Sequence, residues 1–420
     1  MISKLIKDIS WFLLEHGIRT ICSIISSILI INYFSPQNYG ILSISLSIYT
    51  VLQAISSLGL DSILLKKLIE LTDYSVIAGS YKLRFICSIL ISTICLLALL
   101  FLDNQWLVIL VILIVSLYFD SFRALKELAF SKKKYTSIVY SNSIASLIQL
   151  ISVALLVYFK SSLYWFALPF LLKSLTFISI LFSLEWGSAK NTLYIPKKID
   201  LKLLKEGIPL MIASIAGLIY AVQDQWMIGI FMTNEDVGIY SAGVKFVLIL
   251  LILPTIVTNV LYHKIINLKE SNYFDSYMQS LYSILFYFGL VLYIGMYFFS
   301  KYIIDLIFPE TYESSKEVLI VYSIILIMAF FQSLNNKLLI LFNNQKLIMQ
   351  RVLLSLIFNL LFNLYLINNY GIVGAALATV LSEFIVLISY SFNKSTRNIF
   401  IFQIKAINPI HIKNIFIISK

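Results

Sequence analysis

Residues 207–246 read GIPLMIASIAGLIYAVQDQWMIGIFMTNEDVGIYSAGVKF, and the fold turns on this stretch. Two apolar runs flank a polar turn, Thr233-Asn234-Glu235-Asp236. Each run can cross a bilayer, which takes about 20 apolar residues. Each also carries one charge in its apolar part, Asp224 going out and Lys245 coming back. The surroundings of the turn repeat an earlier pattern. In Ser35-Pro36-Gln37-Asn38-Tyr39-Gly40-Ile41-Leu42-Ser43, Gly40-Ile41-x-Ser43 aligns with Gly238-Ile239-x-Ser241. The stretch begins at the middle of a 420-residue chain, so it marks the start of a second half built like the first.

The rest of the chain has the same character. Hydrophobic residues make up 60% and charged residues 13%, against roughly half and a quarter in soluble domains. The expected fold is all-α, a polytopic membrane protein with little room for a soluble domain. The first run follows Lys4 and Lys7 as a signal peptide's would, but it is too long and no small-x-small site follows. It is expected to be a retained helix. Cys22, Cys87 and Cys95 all fall in predicted spans, where a thiol behaves as a small apolar group, so no disulfide is expected. His16, His263 and His411 lack ligand spacing, which argues against a metal site.

Twelve spans are predicted, at about 10–31, 41–60, 83–102, 105–122, 138–159, 162–184, 208–231, 239–261, 280–299, 318–342, 350–368 and 371–391. The predicted domains are an N-terminal lobe (1–190), a linker (191–207), a C-terminal lobe (208–391) and a basic tail (392–420). With the N-terminus placed in the cytoplasm, 26 of the 32 Lys and Arg fall in inner segments, three in outer ones and three within spans. That asymmetry sets the orientation, with both termini cytoplasmic. It also accounts for the net charge of +11 without nucleic acid. Outer connections are short except for about 17 residues near 300–316, which excludes a large external catalytic domain. The linker ends in Ile195-Pro196-Lys197-Lys198. The tail scatters Ile399, Phe400, Ile401, Phe402, Ile415 and Phe416 among basic residues, as an interfacial helix or an unstructured segment would.

A charge near the bilayer centre costs about 2.5–3.5 kcal/mol and needs a partner or a wet cavity. Six qualify: Glu15, Arg19, Lys173, Asp224, Lys245 and Glu383, with His16 beside the first two. Glu15 and Arg19 are four apart and share a helix face. They form either a neutral structural pair or a site where Arg19 meets an anionic head group. Asp224 lies seven residues before one helix end and Lys245 six after the next begins, so both sit roughly 10 Å deep. They are placed to form a hairpin salt bridge or to serve transport. Lys173 stands halfway along its span, four residues after Pro169, which is expected to kink the helix. It is the best single candidate for binding a phosphate, against snorkelling or pairing with Glu383. Pro209 is expected in the first turn of its helix, and Pro254 at a second kink.

Taken together, these features resemble the polysaccharide-exporter branch of the multidrug/oligosaccharidyl-lipid/polysaccharide (MOP) flippase superfamily, in particular the O-antigen (Wzx-type) flippases. Further similar stretches are Leu58-Gly59-Leu60, Asn359-Leu360-Leu361-Phe362-Asn363, and Tyr370-Gly371-Ile372-Val373-Gly374-Ala375-Ala376-Leu377-Ala378-Thr379. The resemblance covers residues 1–391. It implies two six-helix lobes in a V, as in MATE transporters, around a cationic cavity lined by Arg19, Lys173, Asp224 and Lys245. The implied activity is transport, not catalysis. An undecaprenyl-diphosphate-linked oligosaccharide would move from the cytoplasmic to the periplasmic leaflet of a bacterial inner membrane by alternating access. The lipid tail would stay among membrane lipids, and polysaccharide polymerase and glycosyltransferases of the pathway would be partners. Glu15 is a departure, because it makes the first-helix site nearly neutral. No cofactor is implied, and no Gly-rich Lys-Ser/Thr loop for ATP is present. Energy would come from a proton or sodium gradient, the membrane potential or downstream consumption, with Glu15, His16, Asp224 and Glu383 as candidate proton carriers. Two rival readings follow: a proton- or sodium-coupled multidrug antiporter of the same superfamily, and a membrane polysaccharide polymerase or glycosyltransferase. The latter commonly carries a large acidic outer loop, which is missing here.

Overall fold

A computed structural model describes residues 2–70, 75–101, 104–187, 190 and 201–413. The linker motif Ile195-Pro196-Lys197-Lys198, and Ile415 and Phe416 of the tail, lie outside the described residues. Among the described residues the chain is almost wholly helical, without strands. It divides into two compact units, Met1–Leu218 and Ile219–Lys420.

The first unit holds α1 (Ile2–Tyr33), α2 (Pro36–Ser57), α3 (Leu60–Glu70), α4 (Ser75–Phe101), α5 (Gln105–Asp120), α6 (Ala124–Ser131), α7 (Tyr135–Tyr158) and α8 (Leu168–Leu184). Helix α1 packs on α7, α7 on α8, and α5 on α2, α4 and α8. Large apolar side chains face outward, as Ile94 (65% exposed) and Phe101 (84%) do on α4. That arrangement suits lipid, not water. With no hydrophobic drive between helices in lipid, close approach relies on small residues. Buried Ser45, for example, donates to the Ile41 carbonyl of its own helix and to Trp106 O across the α2–α5 contact, both at 2.9 Å. The apolar core gathers where α3 and α6 meet, around Leu64, Ile77, Leu125, Leu128 and Leu181.

Helix α9 (Leu201–Phe231) passes from the first unit into the second. It begins earlier than the apolar pattern suggests, because the amphipathic turns Leu201–Glu206 continue the helix. Pro209 is therefore internal, not in the first turn. Gly207 rests against the α2–α3 turn, where a Cβ would stand 2.3 Å from the Leu58 carbonyl oxygen. The turn itself needs Gly59 at φ +64°.

The second unit continues with α10 (Asn234–Leu250), α11 (Ile252–Leu268), α12 (Phe274–Ile307), α13 (Ser315–Tyr322), α14 (Ile325–Leu341), α15 (Gln345–Ser389) and α16 (Arg397–Lys405). Thr233 caps α10 in a reciprocal box with Asp236. The polar turn Thr233–Asp236 thus serves as a helix start. Pro254 produces the expected break: α10 ends at Leu250, the residue whose carbonyl the proline ring excludes. Pro169, by contrast, occupies the first turn of α8 after a 3₁₀ turn at Leu163–Ala167, so it starts a helix and does not kink one. The connection expected over 300–316 is shorter, since α12 runs to Ile307 and Glu310–Tyr312 forms a 3₁₀ turn.

Eleven helical stretches among the described residues are long and apolar enough to cross a membrane. The last, α15, has 45 residues, about 67 Å at 1.5 Å per residue, or two crossings. It is broken at Gly371 (φ 58°, ψ −139°). Its arms run side by side, because Asn359 Nδ2 donates to Thr379 Oγ1 at 2.9 Å and Ser355 Oγ to Glu383 at 3.2 Å. In one straight helix Asn359 and Thr379 would be about 30 Å apart. Twelve crossings result, at the predicted places. Two cations counted with inner segments prove, among the described residues, to be buried: Arg84 and Arg351. Buried Arg84 pairs with Asp61 at 2.7 Å, and Arg351 lies 3.6 Å over the Tyr390 ring.

The α15 hairpin closes so tightly that a Cβ at Gly374 would meet the Leu366 carbonyl oxygen at 2.0 Å. Gly374→Ala should therefore cost about 1–3 kcal/mol or more by overpacking against backbone. Gly217→Ala, whose Cβ meets nothing within 4 Å, should be neutral or stabilising by up to about 1 kcal/mol. Thermal unfolding of the two purified variants in detergent checks the contrast.

Candidate functional site

The polar residues of the second unit form three ladders with four-residue spacing. Tyr220 and Asp224 lie on α9, Ser355, Asn359 and Asn363 on one arm of α15, and Thr379 and Glu383 on the other. Four-residue spacing keeps each set on one helix face, so the three stripes meet along their length. The result is two buried carboxylates, each held by neutral donors.

Asp224 Oδ2 accepts from Tyr240 Oη and Thr379 Oγ1, both at 2.6 Å, and Oδ1 accepts from Asn363 Nδ2 at 2.7 Å. Asn359 Oδ1 accepts from Asn363 Nδ2 at 2.8 Å and from Gln223. Asn363 Oδ1 is buried and accepts nothing among the described residues. One turn away, Glu383 accepts from Tyr220, Gln332 and Ser355. It also opens onto a cavity of about 430 Å³ whose lining includes Tyr220, Tyr322, Gln332, Asn336 and Lys337.

Lys245 takes no part in this cluster. It is half-buried and forms no ion pair among the described residues, and Asp224 bonds to Tyr240 instead. Five residues of helix separate Tyr240 from Lys245, which turns the lysine roughly 140° away. Matched depth did not mean matched faces. Glu383, likewise, takes its partners within its own unit.

In the first unit, Glu15 and Arg19 pair as their spacing predicts, at 3.4 Å, and the Arg19 guanidinium also reaches His16 Nδ1 at 2.6 Å. Lys173 is half-buried, and its charged neighbours are Arg19, Arg123 and Glu15. Sequence reasoning missed its other surroundings. Asp120, at the end of α5, accepts from Ser174 Oγ at 2.6 Å, from Gln53 and from Tyr49, and pairs with Arg123 at 3.2 Å. The predicted span ends at 122, which puts Asp120 and Arg123 at its edge and just beyond, whereas the stretch long and apolar enough to cross a membrane runs from Gln105 to Ser131. Arg19, Lys173 and Arg123 thus form a basic group offset by Glu15 and Asp120. This arrangement suits an anion more than a dye cation.

Residues 5–268 match the sequence profile of a family described as polysaccharide biosynthesis protein, over more than half of the chain. The chain belongs to the polysaccharide biosynthesis protein family. Its fold is similar to that of solved transporters of the MOP superfamily. This family member aligns with a lipid II flippase MurJ, inward closed, at TM-score 0.75 and 17% identity, covering 97% of this chain and 93% of the other. An inward-facing multidrug resistance MATE transporter aligns at TM-score 0.66 and 12% identity, covering 96% of each chain. At such identities the likeness establishes the fold alone. Among curated relatives, a probable low-salt glycan biosynthesis flippase, Agl15, of Haloferax volcanii is 25% identical over 206 residues. That match spans 48% of this chain and 44% of the relative's length.

Tyr240→Phe should leave Asp224 one donor short in the membrane interior. The expected cost is about 1–3 kcal/mol, read as a lower apparent unfolding temperature than Tyr297→Phe, a change on a half-exposed side chain.

Proposed function

We propose that this MOP flippase moves an undecaprenyl-diphosphate-linked oligosaccharide, the repeat unit of O-antigen or another surface polysaccharide, from the cytoplasmic to the periplasmic leaflet. The membrane would be a bacterial inner membrane with both termini cytoplasmic, and a polymerase and glycosyltransferases would act before and after it. The observation that carries this reading is the basic group Arg19, Lys173 and Arg123 at membrane depth, in a chain of the polysaccharide biosynthesis family. A diphosphate cannot cross hydrocarbon unaided, and charge-assisted hydrogen bonds to guanidinium and ammonium groups are its natural shelter. The curated glycan flippase relative supports the same class of cargo. Lys245, in the second unit, is retained as a further proposed substrate contact.

Asp224 is proposed as the ion-coupling group, with Glu383 one turn away. Its donors are neutral, so its charge is left for a proton or sodium ion. Asn363, which donates to Asp224 Oδ1, also carries a buried Oδ1 without a donor among the described residues. Glu15 and His16 are engaged with Arg19 and serve that residue's charge first.

The test is flipping of a fluorescent undecaprenyl-diphosphate oligosaccharide in proteoliposomes. Wild type should move it faster than empty vesicles. Arg19→Gln and Lys173→Gln should each slow flipping about tenfold or more, as expected for losing a charged hydrogen bond of roughly 1.5–3 kcal/mol. Asp224→Asn should flip at one rate whether or not an ion gradient is imposed. Export of a cationic dye with no movement of the lipid-linked sugar would instead establish the drug antiporter, and new glycosidic bonds would establish the polymerase.

A further inference from the structure

The tail of the second unit makes a site that the flipping reaction does not use. Helix α16 and the following 3₁₀ turn, Pro409–Lys413, lie along α12. Three tail carbonyls are satisfied by α12 side chains. Gln279 Nε2 donates to Phe402 O at 3.2 Å, Ser280 Oγ to His411 O at 2.8 Å, and Tyr287 Oη to Ile407 O at 2.7 Å. The Tyr282 and Phe402 rings stack at 5.8 Å.

The depth of these contacts follows from α12 itself. With Lys301 at the far boundary, 30 Å of hydrocarbon reaches back about 20 residues, to roughly residue 281. Gln279 and Ser280 then sit at the water boundary, and Tyr287 lies roughly 9 Å inside it. Irregular backbone at that depth needs its carbonyls paired, and here they are. On the tail's other side stand Ile404 (54% exposed), Ile407 (61%) and Ile410 (67%). Arg397 and Lys405 are exposed on the same helix. An apolar face at membrane depth, continuous with the lipid-facing surface of α12 and rimmed by cations, is matched by anionic lipid.

Between tail and α12 is a cavity of about 250 Å³, lined by Asp275, Gln279, Asn398, Lys405 and His411 with Ile401 and Phe402. Lys405 and Asp275 both line it, and among the described residues neither forms an ion pair. We infer that this cavity binds the head group of an anionic, hydroxylated glycerophospholipid, with its acyl chains along Ile404, Ile407 and Ile410. Lys405 and His411 take the phosphate, while Asp275 and Asn398 take the head-group hydroxyls. The tail is thereby clamped to the surface on which α12 begins.

Native mass spectrometry of the delipidated full-length chain tests this with three probes: dioleoyl phosphatidylglycerol, dioleoyl phosphatidylcholine and inorganic phosphate. Phosphatidylglycerol should bind in preference to phosphatidylcholine. Lys405→Gln should weaken that binding about fivefold, the contribution of one basic side chain at an anionic surface. Asp275→Asn should narrow the preference for phosphatidylglycerol over its methylated-phosphate analogue, phosphatidylmethanol. Both residues are exposed, so neither substitution removes a buried contact. Equal binding of the two dioleoyl lipids, or unchanged binding by Lys405→Gln, overturns the proposal. Inorganic phosphate binding as tightly as the lipid would also overturn it, by making this a free-anion site.

Discussion

A carboxylate at membrane depth held only by uncharged donors is the constraint around which the second unit is organised. Asp224 satisfies its two oxygens through Tyr240, Thr379 and Asn363, which belong to three different helical segments. Leaving any one unmade would expose a buried acceptor at a cost of about 1–3 kcal/mol. The register of α9 against α10 and against both arms of α15 is therefore fixed by polar contacts. Apolar side chains alone would not fix it, because lipid is as good a neighbour for leucine as another helix is.

The first unit solves the same problem with opposite polarity. Asp120 has a charged partner, Arg123, as well as neutral donors, and a surplus of cations surrounds it. An anion and a cation thus find suitable environments in different parts of one chain. That division is what the proposed function, an anionic cargo moved by a cation gradient, would use.

The crossings were legible because a hydrocarbon layer demands long apolar runs, and each run carried that signal locally. The hairpin of α15 was legible for the same reason: Gly371 separates two runs of crossing length. Charges at depth were also legible, and Glu15 and Arg19 paired because helical spacing alone brings them together. Partners from distant segments were not. Tyr240 and Gln332 are single hydroxyl or amide groups in apolar surroundings, and nothing periodic ties them to Asp224 or Glu383. Asn359 and Asn363 stood out in the sequence, but as a stretch resembling a known family and not as partners of a carboxylate. Lys245 misled because depth along a helix is readable from counting while azimuth against a neighbour is not. Pro209 misled because the apolar pattern starts at 208 whereas the helix starts at Leu201.

The single-glycine turn in α15 has a practical consequence. Two membrane crossings meet there with Gly371 as the one non-helical residue and Gly374 pressed on Leu366. That rim offers no slack peptide for a protease to grip or for an inserted epitope to occupy. Labels meant to report which side of the membrane this end faces belong in the more open Phe308–Ser314 connection of the same unit.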